Sequence, residues 1–234
     1  MDTSIEPHHI YHTYMVDAKI RLLTAEKIVA SKTPISGYGS LDAEFCLLQI
    51  RRIVESITFG AMTRERGRYS ALHLIQQAEN PRAKGSPTSD WKASEILKRL
   101  VEISPHVLPI PVRDEPTQTA LGIFHFDRKD IEVNHARLIE FYKRAGGFLH
   151  AQNPLVSDFV HRLNEQRKAY DGMPKELAGI LDFLRKLLWK HVAITLEFEE
   201  GTDPRTSDSP KFAWIVDFMT NNDHQVSIQL AEST

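Results

Sequence analysis

Residues 40–66, SLDAEFCLLQIRRIVESITFGAMTRER, set the tightest limit on what this chain can fold into. Leu41, Phe45, Leu47, Leu48, Ile50, Ile53, Val54, Ile57 and Phe59 fall nearly all the way round a helix. A helix that is apolar on every side belongs in the middle of a bundle, so other helices must cover it. Ser40 is its candidate cap, although Ala43 followed by Glu44 leaves the capping box incomplete. At about 100° per residue, Glu44, Arg51 and Glu55 share one narrow strip of this helix. Charges on a buried helix must be paired, solvated in a groove or functional. Arg51 and Glu55, spaced i,i+4, can pair with each other. Alternatively, the strip lines a cleft.

The partners for that helix follow from periodicity. Residues 10–31 read as a helix with Tyr11, Met15, Val16, Ile20, Leu23 and Ile28 inward. Residues 68–79 read as a short helix. Another starts at Ser89 or Asp90 and offers Trp91, Ile96, Leu97, Leu100, Val101 and Ile103 to the core. Pro105, Pro109, Pro111 and Pro116 keep 104–116 extended or turning. ALGIFHF at 120–126 is a short strand or a buried connector. Residues 155–170 form an amphipathic helix with Leu155, Val156, Phe159, Val160 and Leu163 inward. Asp171-Gly172-Met173-Pro174 reads as a turn, and Pro174 opens a helix over 175–190. HVAITLEF, KFAWIVDFM and HQVSIQLAE, split by polar loops, then predict a small antiparallel meander over 191–231. The expected fold class is α+β: a mostly α-helical bundle over 1–190 with a small C-terminal β meander over 191–234. The meander is too small to stand alone and packs on the bundle as one domain.

Residues 134–154, NHARLIEFYKRAGGFLHAQNP, concentrate the chemistry. Asn134 caps a helix whose apolar stripe is Leu138, Phe141, Tyr142, Ala145, Phe148 and Leu149. Lys143, Arg144, His150 and Asn153 ride on it toward a stop at Pro154. Cations and a histidine near a helix end complement the helix dipole, and they are also groups suited to a phosphate. Arg144 and His150, six positions apart, differ by about 240° on a regular helix, whereas Lys143 and His150 share a face. Three resolutions stay open: Gly146-Gly147 break the helix, the site works across a dimer, or Lys143 is the working cation. The glycines could instead permit close approach of a neighbouring helix.

An arginine followed within a few residues by a histidine late in a helical bundle, here Arg144 to His150, resembles the HEPN superfamily (higher eukaryotes and prokaryotes nucleotide-binding). The long helix EFCLLQIRRIVESITF, the later Leu149–Pro154 stretch Leu-His-Ala-x-Asn-Pro and the terminal β segment also resemble uncharacterised bacterial proteins. The first resemblance implies a helical bundle, often dimeric, with two copies of the motif facing each other. Many members are metal-independent ribonucleases of toxin or anti-phage systems, and others only bind nucleotides. By that resemblance Arg144 would bind the scissile phosphate and His150 would act as general acid or base. Lys143, Asn153, Arg51 and Glu55 would be the substrate-binding neighbours. The chain departs from the stronger pattern with Ala145 after the arginine and Gly146-Gly147 inside the motif.

Other chemistries find no pattern. There is no P-loop, G-x-G-x-x-G, H-E-x-x-H or G-x-S-x-G, and no cofactor is implied. His8 and His12 are one turn apart but lack further ligands nearby, so no metal site is expected and they read as surface histidines. His125 and Asp127 read as structural. A formal charge of −2 argues against nucleic-acid binding by bulk charge while permitting a local basic patch. With the single cysteine Cys46, no signal pattern and no long apolar run, a cytoplasmic location without membrane insertion is expected. Three readings follow: a dimeric HEPN-like RNA-cleaving protein, a non-catalytic protein that holds RNA, a nucleotide or a cognate protein partner, and a purely structural α+β domain.

Overall fold

A computed structural model of the protein describes residues 6–80, 86–104, 106–115, 117–118, 124–149, 153–206 and 210–231. The apolar 40–66 segment forms α2 (Gly39–Arg64), and α1 (Pro7–Val29), α4 (Ala93–Ile103), α5 (His135–Leu149) and α6 (Phe159–Leu188) all pack on it. Cys46, Leu47, Ile50, Ile53, Val54 and Ile57 are fully enclosed, which is what an apolar central helix requires. Ser40 does not cap α2. The helix starts one residue earlier, and Asp42 instead accepts N–H bonds from Ile35 and Ser36 at 2.7 and 3.0 Å, securing the incoming loop.

On α1, Tyr11 and Met15 turn into the core as expected, and Val16 and Ile28 pack half-buried against it. The inner stripe continues through Ala18, Leu22 and Ala25 rather than through Leu23 and Ile20, which is 36% exposed. Alanines at 18 and 25 let the backbones approach: the Cys46 thiol reaches the Ala25 carbonyl at 3.8 Å. Lys19, also on the inner side, is fully buried. Its ammonium donates to the carbonyls of Phe218 (2.5 Å) and Gln225 (2.7 Å) and to Asp223 Oδ1 (3.0 Å). Three oxygen acceptors satisfy all three donors of an ammonium, and this is what makes its burial tolerable.

α3 (Arg66–Glu79) packs with α4 and the end of α2 around a satellite core of Tyr69, Leu72, Ile96, Leu100 and Ile103. Trp91 does not join that core: α4 begins at Ala93, and Trp91 is 63% exposed. A 3₁₀ turn at Pro87–Ser89 precedes it, and Asp90 turns its carboxylate toward α3. The expected break at Asp171–Pro174 is absent. α6 runs through Pro174 because Met173, Leu177, Leu181 and Leu184 continue one buried stripe, and Tyr170 packs against the same core. Burial of that stripe offsets the roughly 3 kcal/mol that an interior proline costs. Leu155 and Val160, expected inward, are exposed.

The C-terminal segment forms β4 (Lys190–Leu196), β5 (Pro210–Asp217) and β6 (Ser227–Ala231), an antiparallel meander as expected. Its fourth strand is β1 (Ile110–Pro111), from the proline-rich connector, giving the order β1-β4-β5-β6. β2 (Thr117–Gln118) and β3 (Phe124–His125) make a separate two-stranded ribbon, and the rest of the 120–126 segment before Phe124 lies outside the described residues. Along β4 and β5, His191, Ala193, Trp214 and Val216 alternate inward and join the helical core. No helix among the described residues is long and apolar enough to cross a membrane.

His191 is enclosed between sheet and bundle. With its Nδ1–H given to the Leu188 carbonyl (2.8 Å), its Nε2 accepts from the Tyr11 hydroxyl (3.0 Å). Burial lowers its pKa to about 4, and Arg64 acts in the same direction. The unfolded chain, with an ordinary histidine near pH 6.5, therefore binds this proton more tightly than the native state. The stabilisation is complete above pH 6.5 and drains away as pH falls toward 4, by on the order of 3 kcal/mol. Urea unfolding at pH 7 and pH 4.5 should show this loss, and a smaller one in His191→Gln, which cannot titrate; an equal pH slope in both proteins would contradict it.

Candidate functional site

α5 starts as its sequence implies, with the Asn134 side chain accepting the Ala136 N–H at 2.8 Å. Leu138, Phe141, Tyr142 and Ala145 bury one side against α2 and α6. The opposite side, Ala136, Glu140, Lys143 and Gly147 at spacings of four, three and four, faces outward. There it walls a groove of about 860 Å³, closed by Lys98 of α4, by His135, Arg144 and Phe148 of α5, and by Gln166 of α6.

The charges around this groove are unequally engaged. Lys98 pairs with Glu95 at 3.1 Å on the surface. Arg144 makes a two-pronged bond to Glu176, Nε to Oε1 at 2.8 Å and Nη2 to Oε2 at 3.0 Å, and its guanidinium lies 4.8 Å over the Phe148 ring. The hydrogen bonds raise the arginine pKa and lower that of Glu176. Lys143 is exposed, and among the described residues no carboxylate lies within ion-pair distance of it. Phe148 is braced edge-on by Tyr170 at 5.6 Å. The Tyr170 hydroxyl donates to Glu44 at 2.5 Å, and burial together with that carboxylate raises its pKa to about 12. Cations, an imidazole, an amide and an aromatic ring on one open groove, with the Glu140 carboxylate among them, can hold a phosphate and pack against a base.

Of the residues singled out from sequence, Lys143 and Arg144 line this groove. Arg51 and Glu55 do not. Arg51 crosses to the other side of α5, stacks at 4.5 Å on the Tyr142 ring, bonds its hydroxyl at 3.0 Å and pairs with Glu55 at 3.3 Å. Glu55 also receives Arg52 at 2.9 Å. The charged strip on α2 is thus satisfied internally: Glu44 by Tyr170, Arg51 and Glu55 by each other. Asn153 accepts the Leu155 N–H at 3.0 Å in a local turn. His150 lies outside the described residues.

The glycine pair does not break α5, which is helical through both. Gly146 is where Arg51 passes: a Cβ there would sit 3.3 Å from Arg51 Nη1, while a Cβ on Gly147 would meet open space. Close approach of α2 explains the first glycine, and nothing in the structure explains the second.

Sequence reasoning missed a second polar constellation. Asp90 Oδ2 accepts from the Tyr69 hydroxyl (2.5 Å), His73 Nε2 (2.7 Å) and Arg99 Nη1 (2.7 Å). Burial alone would raise the Asp90 pKa, but these three donors hold it below the ordinary carboxylate range. The four residues are dispersed over two helices and a loop, so no local spacing announces them. Tyr69 and His73 are buried, and the cluster clamps the loop before α4 onto α3. Among the described residues, no group of three or more His, Cys, Asp or Glu could hold a metal ion; His8 is exposed and His12 bonds the Val226 carbonyl at 2.9 Å.

No protein-family model, no curated protein and no solved structure matches the chain. The two glycines give a direct test of the local geometry. Gly147→Ala should raise stability by roughly 0.5–1 kcal/mol, the ordinary helix gain. Gly146→Ala should gain less or lose, because Arg51 must shift from Tyr142. Chemical denaturation of both variants decides this, and equal gains would mean that Arg51 is not held there.

Proposed function

We infer that the protein handles a phosphorylated ligand, single-stranded RNA or a nucleotide, in the groove over the outer face of α5. The observation that carries this reading is Lys143, exposed and with no carboxylate within ion-pair distance among the described residues, in a groove that also holds Lys98, His135, Glu140 and the braced Phe148 ring. A phosphate would take Lys143 and Lys98 as its charge partners, and the Phe148 ring offers a surface for a base. Arg144 enters this reading as a groove wall whose charge is already answered by Glu176. A ligand phosphate would have to displace that carboxylate to use the guanidinium fork.

The resemblance of Arg144 and His150 to the HEPN motif supports a further step on the same groove, metal-independent cleavage of the bound RNA. Arg144 would then exchange Glu176 for the scissile phosphate, and His150, immediately after the last residue of α5, would move the proton. Membership of a toxin or anti-phage system, and a cognate protein partner, belong to that step. Without it, the same groove describes a binding protein.

Binding and cleavage separate in one set of measurements. Fluorescence anisotropy with a labelled single-stranded RNA should show Lys143→Glu weakening affinity about tenfold and flattening the salt dependence by close to one phosphate contact. Unchanged affinity in a folded Lys143→Glu protein would remove the groove from consideration. Incubation of the same RNA in EDTA then asks for cleavage by the wild type that His150→Ala abolishes. Binding without product leaves the non-catalytic reading, and equal cleavage by both proteins rules out His150.

A further inference from the structure

α2 carries more apolar surface than the described residues cover. Besides the enclosed face, Leu41, Phe45, Leu48 and Arg52 follow one another along α2 at spacings of four, three and four residues, with Tyr38 as the extended residue just before the helix. That is the a/d repeat by which one helix seats in another. In α1 a repeat of the same kind, Tyr11, Met15, Ala18, Leu22 and Ala25, is buried against α2. On the outward face of α2 no helix among the described residues covers the repeat: Tyr38 is 68% exposed, Leu41 50%, Phe45 43% and Leu48 39%, with Ile35 at 64% on the loop leading in. At about 200 Å² for a large side chain, these five leave on the order of 500 Å² uncovered, near the top of the range for the largest apolar patch of a monomer.

The geometry points to a second copy of this chain as the occupant, with the two α2 helices packed antiparallel about a twofold axis near Phe45 and Leu48. Three features favour this partner. The seam is self-complementary: at its centre a ring, Phe45, meets the partner's Leu48, and the reverse contact repeats across the axis. Its ends carry opposite character, an exposed aromatic at Tyr38 and an exposed cation at Arg52, whose side chain is 56% exposed. Antiparallel packing lays Arg52 along the partner's Leu41 and aims its guanidinium at the partner's Tyr38 ring, a cation–π contact. Parallel packing would instead set Arg52 against Arg52. The area also suits a pair: with Arg52 the exposed surface is on the order of 600 Å² per partner, so two copies would bury more than the ~1,000 Å² that marks a specific interface. None of this uses the groove over α5, so the result is independent of RNA binding.

Sedimentation velocity on the full chain over a range of concentrations should show a concentration-dependent mass of two chains. Phe45→Glu, with an unchanged far-UV spectrum, should sediment as one chain. A wild type that remains a single chain at every concentration, or a dimer that survives Phe45→Glu, would overturn the proposal. If Phe45→Glu fails to fold, the Leu41→Cys/Arg52→Cys protein decides. Its two thiols lie about three turns apart within one helix and cannot bridge there. Mild oxidation should therefore yield a covalent dimer on a denaturing gel. No cross-link from the folded double variant would overturn the antiparallel seam.

Discussion

Enclosure of α2 is the constraint on which the rest of the structure depends. Its apolar inner face cannot remain in water, so α1, α4, α5 and α6 pack over Cys46, Leu47, Ile50, Ile53, Val54 and Ile57, while Leu41, Phe45 and Leu48 on the outer face stay partly exposed. The polar groups on α2 then need individual answers. Gln49 accepts from Arg21 at 2.8 Å, Ser56 bonds Asp17 at 3.1 Å, and Arg51 and Glu55 answer each other while Arg51 lies on Tyr142. Arg51 needs the space over Gly146 to reach that ring. The position and rotation of α5 therefore follow from how α2 buries its own charges. So does the direction in which Lys143 points.

Much of the fold could be read from the chain because burial leaves a periodic trace. The central helix, the capped α5, the proline-rich connector and the three-strand meander all carry local signals of period or punctuation. The departures share a different cause: a distant partner overrode a local preference. Pro174 would end a helix, but Met173 and Leu177 on either side have a core to enter. Lys19 would be placed at the surface, but three oxygens from the segment at 218–225 converge on its ammonium. Asp90 would begin a helix, but Tyr69, His73 and Arg99 claim its carboxylate and leave Trp91 outside. The oxygens around Lys19 lie about two hundred residues away, and even where a partner is as near as Arg99 is to Asp90, no periodic pattern marks the pair.

The site was legible in outline and not in detail. The 143–144 cations were apparent as a cluster, whereas the division of labour between them was not. Arg144 finds Glu176 on α6, thirty-two residues away, and Lys143 is left facing the groove. The other contributors, Lys98, His135 and Gln166, come from three helices and share no motif. Arg51 and Glu55 form the i,i+4 pair that their spacing allows and belong to the packing of α2 on α5, not to the substrate-binding role the resemblance implied.

The central claim is that α2 fixes α5 so that its outer face presents a phosphate-binding groove. Two-dimensional amide NMR of the protein titrated with a short single-stranded RNA tests it most directly. Saturable shifts are expected at the amides of Lys98, His135, Lys143, Gly147 and Gln166, with the buried face around Leu138 and Tyr142 unmoved. Shifts confined to other surfaces, or none at concentrations well above the labelled protein, would contradict it.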